Sequence, residues 1–386
     1  MKSFIFRLLQ FPDRLLYWFF RCIFPLDKRL IIFEAAKGEM NDSSLELYNF
    51  LKQNGDYRFV WMVRHPSRYS PNEQTIFVNR FHRAFNIRAV YYYAKAAFSF
   101  YTHTTSSIKY KRRGQTVVFF GHGYAYKGNK GHGSNYHNFD YALSIGEAAN
   151  ITQASFIGCS PDKMLPLGLP RNDLLVRSKS NGSSCPWNKG FKKVIIWMPT
   201  FRESRMNHLS EKHCATETGL PLIAESASLD QFNAFLNKRN ICILLKPHPI
   251  QTQKSAFKEH RSNIIVVNDE DIAHAGLMLY EMVAQSDALL TDYSSVAADY
   301  LLLDKPIGFI LSDMDEYKQD RGFVMEDPTT VMPGHHIYSV EDLQNFVDDV
   351  SNNLDVYQSE RHKTTQQLHA ALKGNSCELI RNYFHL

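Results

Sequence analysis

Apolar and polar positions alternate along this chain in a pattern that changes period every ten to fifteen residues. RLIIFEAAKG (29–38) reads as a strand, SSLELYNFLKQNG (43–55) as an amphipathic helix and YRFVWMV (57–63) as a second strand. That β-α-β order is the signature of a parallel sheet flanked by helices. AVYYYAKAAFSFYTH (89–103) and TVVFFGHG (116–123) continue it. The polar Gly- and Pro-containing run SKSNGSSCPWNK (178–189) reads as a linker, after which the pattern restarts with KKVIIWMPTFRES (192–204), NICILLKPHP (240–249), SNIIVVND (262–269) and DALLTDYSS (287–295). The fold class is therefore α/β, with two Rossmann-type domains expected at 29–180 and 181–350. Residues 351–386 read as a C-terminal helix packing back on the body, and 1–28 as a separate leading segment.

The leading segment, MKSFIFRLLQFPDRLLYWFFRCIFP, is rich in aromatic and aliphatic side chains, yet Arg7, Gln10, Arg14 and Arg21 recur at helical spacing. Its longest apolar run, Leu15 to Phe20, is far short of the roughly 20 residues that a spanning helix needs. The pattern predicts an amphipathic helix lying in a membrane interface, broken or kinked at Pro12. A helix packed on the protein's own core is the competing reading. Charge sharpens the choice, because residues 1–116 carry 19 Lys and Arg against 8 Asp and Glu, while the remainder carries 25 against 31. A basic front suits an anionic partner, here a membrane surface rather than nucleic acid. Six scattered cysteines with no C-x-x-C fit a reduced, cytoplasmic protein. Together these point to the cytoplasmic face of the cell membrane, with peripheral attachment.

Candidate chemistry gathers at strand ends. In open α/β sheets ligands bind beyond the carboxyl ends of the strands. In the first half, TVVFF runs into Gly121-His122-Gly123, where glycines allow close approach to the backbone and His122 can take a proton from a hydroxyl. In the second half, four strands end in polar or cationic residues: Thr200 and Arg202, Lys246 and His248, the acidic end of SNIIVVND, and Thr291 with Ser294 and Ser295. Ser294 reads as an N-cap, which would turn backbone N–H groups and the positive end of a helix dipole toward an anion. With Arg321, this donor set suits a diphosphate. Donors on one domain and a base on the other describe group transfer across a cleft. No D-x-D pair ends a first-domain strand, so neither a metal site nor a cofactor is expected. The loops are neither a GxGxxG nor a P-loop.

These motifs resemble the CDP-glycerol glycerophosphotransferase family, which builds teichoic acids and similar capsule polymers. The resemblance rests on LIIFEAAKG with Asp42-Ser43-Ser44, the His-Gly and Lys127 of GHGYAYK, GLPRND, PTFRES, LLKPHP, TDYSSVAADYLLLDKPI, and DMDEY followed by RGF. It implies a GT-B-like fold, two Rossmann-type domains facing a cleft. It also implies CDP-glycerol or another CDP-alditol as donor, CMP as product, and a lipid-linked saccharide or growing polymer as acceptor. By the same resemblance His122 is the base and His248 a second catalytic position. His248, Ser294 and Ser295 contact the donor phosphates, with Lys246, Thr200, Thr291, Arg202, Arg321 and Glu316 beside them. Asp42, Lys127 and Arg171 fall on the acceptor side.

One departure from the family pattern is informative. Around the first His the usual W-H-G-T-P-x-K is altered, with Gly121, Tyr124 and Ala125 replacing Trp, Thr and Pro. Acceptor identity, the choice of glycerol or ribitol, and single addition or polymerisation stay open at this level. So do two other readings: a sugar-transferring GT-B glycosyltransferase of capsule or lipopolysaccharide synthesis, and a non-enzymatic basic membrane-binding protein.

Overall fold

A computed structural model describes residues 11–79, 86–102, 111–128, 138–180, 185–200, 216–247 and 255–386. The chain divides into two units, one of Met1–Gly123, Gly133–Asp173 and Lys373–Leu386, the other of Tyr124–His132 and Leu174–Leu372. The units are interleaved rather than consecutive. The chain passes from the first to the second after Gly123, and again inside the helix Pro170–Ser180.

The first unit opens with helix α1 (Phe11–Ile23). Pro12 is the second described residue of this helix, and the residues on the far side of the break predicted there lie outside the described ones. Strand β1 (Asp27–Glu34), helix α2 (Asp42–Asn54), β2 (Arg58–Val63), β3 (Thr75–Asn79), helix α3 (Ile87–Lys95), β4 (Ala96–Tyr101) and β5 (Thr116–Phe119) follow. Then come β6 (Tyr141–Leu143), helix α4 (Asn150–Ile157), β7 (Met164–Leu165) and helix α5 (Pro170–Ser180). All seven strands are parallel, in the order β3-β2-β1-β4-β5-β6-β7, with Ile31 opposite both Phe59 and Phe98. Helices cover both faces, so the central strands are apolar on both sides; Ile31, Phe33, Val60 and Trp61 are all but inaccessible.

Helix α1 has two different faces. Tyr17 is buried and donates its hydroxyl to Gln115 Oε1 at 2.9 Å, while Leu16 and Phe20 pack on the same core. Arg112 Nη1 closes the far end of the helix, donating to the carbonyls of Arg21 and Phe24 at 3.0 and 2.8 Å, as cations at helix C-termini do. The other face exposes Leu15, Trp18, Phe19 and Ile23, each more than half accessible. Asp13 is buried at the start of the helix, and burial pushes its carboxyl up to about 6 against partial relief from the Asn86 backbone N–H. No helix among the described residues is long and apolar enough to cross a membrane.

The second unit holds β8 (Lys193–Trp197), helix α6 (Ser226–Asn237), β9 (Ile241–Leu245), β10 (Ile264–Val266), helices α7 (Asp269–His274) and α8 (Leu279–Ala284), and β11 (Ala288–Thr291). These are followed by helix α9 (Val296–Tyr300), β12 (Ile307–Ile310), helix α10 (Met314–Asp320), β13 (His335–Ile337), and helices α11 (Val340–Ser351) and α12 (Gln358–Leu368). Its six strands are parallel in the order β10-β9-β8-β11-β12-β13. The reversal from β8-β9-β10 on one side to β11-β12-β13 on the other creates a topological switch point between β8 and β11. Helix α13 (Ser376–Phe384) returns to the first unit, where Phe384 lies edge-on to Phe98 and Arg381 lies over the Phe50 ring. Its N-terminus is fixed by Asp173, whose carboxylate accepts the Ser376 and Cys377 N–H groups at 2.7 and 2.8 Å.

Candidate functional site

The switch point of the second unit is built from the ends of β8 and β11. Thr291 donates its hydroxyl to the Met198 carbonyl at 2.7 Å. Asp292, fully buried, accepts the Thr200 backbone N–H at 2.8 Å and also the Thr200 hydroxyl. Thr200 and Thr291, both expected to face a donor, thus spend these groups joining the two strand ends to each other. Lys246, at the end of β9, is 8 % exposed with Nζ 2.8 Å from Asp269 Oδ1.

Beyond Asp292 the turn carries Ser294 and Ser295, both half-buried. Ser295 immediately precedes α9, already in helical conformation, and makes no side-chain cap hydrogen bond, while the Ser294 carbonyl accepts the Ala297 N–H at 3.1 Å. Helix α9 is only five residues long before it tightens into the 3-10 turn Leu301–Leu303, so its dipole is correspondingly small.

What fixes this turn is aromatic. Tyr293, fully buried, donates to Asp313 Oδ1 at 3.1 Å, and its ring centre lies 4.4 Å from Tyr317 and 5.1 Å from Phe323. Tyr317 and Phe323 stack on each other at 5.6 Å. Between them, the carbonyl of Tyr317 accepts from both Arg321 N and Gly322 N at 3.0 Å, and Gly322 takes a positive φ of 71° that favours glycine. Arg321 is half-buried in this turn, and Glu316 is exposed on α10.

The same turn receives a strand from far away in the sequence. Val324 N donates to the Tyr126 carbonyl at 3.1 Å, Gly128 N donates to the Gly322 carbonyl at 2.7 Å, and Lys127 bridges Phe323 in antiparallel fashion. A side chain at 128 would put its Cβ 2.8 Å from the Arg321 carbonyl oxygen, which is why glycine stands there. Residues 124–128, 292–295, 313–317 and 321–324 therefore form one constellation in the second unit. Lys127, grouped in the sequence with the acceptor side, belongs to it.

In the first unit His122 follows β5, flanked by Gly121 at φ 71° and Gly123 at φ 97°, both in the region that favours glycine. Its ring meets Phe119 edge-on at 5.9 Å, and it is half-buried. Its carbonyl accepts from Arg171 Nη2 at 3.1 Å, while Arg171 Nη1 stands 3.6 Å from Asp42 Oδ1. Arg171 is 7 % exposed, and its backbone N donates to Ser43 Oγ at 3.4 Å. Asp42 opens α2 with a left-handed φ of 54° and accepts the Ser43 N–H at 2.7 Å. Gln153 Nε2 donates to the Gly123 carbonyl at 3.2 Å. One guanidinium thus joins three of the sequence motifs: Asp42-Ser43, His122-Gly123 and GLPRND.

One group of interest was missed in the sequence. Glu34, at the carboxyl end of β1, is fully buried and accepts from the Tyr93 hydroxyl at 3.1 Å. Its signal was an acid closing an otherwise apolar strand. Arg202, His248 and the second Gly-His-Gly at 131–133 lie outside the described residues. Among the described residues no group of three or more His, Cys, Asp or Glu could hold a metal ion.

Comparison with known proteins extends these observations. The chain is 29% identical over 252 residues to the teichoic acid glycerol-phosphate primase of Bacillus subtilis (strain 168), covering 64% of this chain and 58% of the primase. It is 26% identical over 333 residues to the teichoic acid glycerol-phosphate transferase of Staphylococcus aureus (strain NCTC 8325 / PS 47), covering 78% of each. The structure of the wall teichoic acid polymerase TagF superposes with a TM-score of 0.75 at 21% identity, covering 100% of this chain and 95% of that one. UDP-GlcNAc 2-epimerase from Neisseria meningitidis superposes at 0.53 with 11% identity, covering 94% and 99%. These structural likenesses carry the fold alone, a GT-B-like pair of parallel-sheet α/β domains. The profile of the family described as CDP-glycerol:poly(glycerophosphate) glycerophosphotransferase matches residues 16–385, nearly the whole described sequence, and the chain belongs to that family.

Proposed function

We propose that the protein transfers an alditol phosphate, glycerol phosphate in the first instance, from its CDP-activated form to a hydroxyl of a lipid-linked saccharide or polymer chain end, releasing CMP. In this reaction the acceptor oxygen attacks the phosphorus that carries the alditol. A new P–O bond forms, the bridging P–O bond to CMP breaks, and CMP leaves with the electron pair. His122 takes the proton of the attacking hydroxyl. Phosphoryl transfer of this kind depends chiefly on positioning and on neutralising charge around the phosphates.

The observation that carries the reading is the constellation at the switch point. Ser294 and Ser295 are held by the Tyr293, Tyr317 and Phe323 stack, with Arg321 in the adjoining turn. Hydroxyls and cations beyond parallel strand ends suit a nucleoside diphosphate. Arg202 and His248 are proposed as further donor contacts, and Asp42 as an acceptor-orienting group. The family and the glycerol-phosphate and ribitol-phosphate enzymes among its relatives support a CDP-alditol donor. The outer face of α1, with Leu15, Trp18, Phe19 and Ile23 exposed, supports peripheral attachment at the cytoplasmic face of the membrane.

The test is incubation of the protein and a lipid-linked saccharide with CDP-glycerol, CDP-ribitol or nucleotide sugars. Release of CMP with transfer of the alditol phosphate is expected. Release of a nucleoside diphosphate from a nucleotide sugar, with a glycoside formed, would replace the proposal with glycosyl transfer.

A further inference from the structure

Lys127 lies five residues after His122 in the sequence, which groups the two, yet they fall in different units. The chain leaves the first unit after Gly123, and residues 126–128 pair with 322–324 in the second. We infer that Lys127 is a donor-side residue, a cation for the diphosphate of the nucleotide rather than a group for the acceptor. The inference rests on the function proposed above and goes beyond it by reassigning one charge.

Three features support it. First, the register is fixed. Two main-chain bonds, at 3.1 and 2.7 Å, flank Lys127, and Gly128 has no room for a side chain against the Arg321 carbonyl, so the strand cannot slip by a residue. Second, residues directly opposite in an antiparallel pair send their side chains to the same face, with Cβ atoms about 5 Å apart. Lys127 therefore leaves the bridge on the face of Phe323. Third, the bridge packs against the residue that precedes the serines. The Phe323 ring lies 5.1 Å from Tyr293, and Tyr293 immediately precedes Ser294. Lys127 and Arg321 thus hang from the two sides of one small bridge beside the hydroxyl-bearing turn. A lysine is a compact charge on a flexible four-carbon stem and can follow a phosphate without the planar geometry that arginine demands.

The test measures donor binding without acceptor. Calorimetric titration of the full chain with CDP-glycerol and with CMP is compared for wild type, Lys127→Met, which keeps the stem and removes the charge, and Lys127→Arg. The expected result is a roughly tenfold weaker Kd for CDP-glycerol in the Met variant and recovery in the Arg variant. In turnover, KM for CDP-glycerol rises while KM for the acceptor is unchanged, a split that a merely structural role for Lys127 does not produce. Equal donor binding by wild type and Lys127→Met, or a rise confined to acceptor KM, overturns the assignment and leaves the proposed function standing. A wild-type protein that binds neither CDP-glycerol nor CMP overturns both.

Discussion

Around His122 the described supports are polar side chains and one ring: the Arg171 guanidinium reaches the His122 carbonyl at 3.1 Å and stands 3.6 Å from the Asp42 carboxylate, Gln153 donates to the Gly123 carbonyl at 3.2 Å, and Phe119 meets the His122 ring edge-on. Around Ser294 and Ser295 the supports are many and mostly uncharged. They include three stacked rings, the Tyr293 to Asp313 hydrogen bond, and the main-chain bonds that stitch residues 126–128 to the Arg321–Val324 turn. The two sheets share one architecture, yet the loop that carries His122 is braced by charged and polar side chains while the turn that carries the serines is braced by stacked rings and main-chain bonds. Removing the Arg171 guanidinium should therefore matter more to turnover than removing the Tyr293 hydroxyl, which leaves the ring stack in place.

The largest effect tests the chemistry on which this contrast depends. Replacing His122 with Ala should lower kcat by about 10³-fold, the middle of the usual contribution of a general base. Donor binding should be unchanged, because the role proposed for His122 is to take the proton of the acceptor hydroxyl rather than to hold the diphosphate. Turnover within a few-fold of wild type, in a variant with unaltered thermal unfolding, would remove His122 from the mechanism and leave Arg171 supporting nothing catalytic.

A smaller effect compares the supports directly. Arg171→Ala should reduce kcat by roughly 10- to 100-fold, since a misplacement of about 1 Å can cost that much. Arg171→Lys should not restore it, because an ammonium cannot reach a carbonyl and a carboxylate with a planar fork. In the second unit, Tyr293→Phe deletes the bond to Asp313 but keeps the ring stack. Its expected cost is about 1 kcal/mol of stability with donor Kd within roughly threefold of wild type. If the two variants lose turnover alike, the contrast between ionic and aromatic support fails.

Much of this was legible in the sequence, and the part that was not has a common cause. The alternating strands and helices follow from short-range periodicity, and the glycines around His122 advertised their positive φ angles. The pairings of Arg171 with His122 and of Lys127 with Phe323 span 49 and 196 positions in the chain, and no local pattern encodes them. Thr200 and Thr291 also have a structural job that the sequence does not announce: in a parallel sheet the strand end carries carbonyls beyond the last ladder bond, and the Met198 carbonyl accepts a hydrogen bond from the Thr291 hydroxyl.

The smallest effect on turnover is expected at α1, which extends the contrast to a third kind of surface. Its inner face is fixed by Tyr17, Leu16, Phe20 and the Arg112 cap, so the exposed face can be altered without loosening the helix. Trp18 and Phe19 are each more than half accessible, and Arg21 lies 4.2 Å from the Trp18 ring centre, an arrangement with an aromatic body and a cation at one surface. Apolar side chains beside basic ones bind anionic bilayers through both burial and charge. Replacing Trp18 and Phe19 together with Ser should therefore weaken sedimentation with vesicles of phosphatidylglycerol and phosphatidylcholine by roughly tenfold or more. Turnover on a soluble acceptor and the unfolding midpoint should both be unchanged. A variant that keeps wild-type vesicle binding would assign the exposed face no role at the membrane. A variant that loses thermal stability instead would mean that both faces of α1 hold the first unit together.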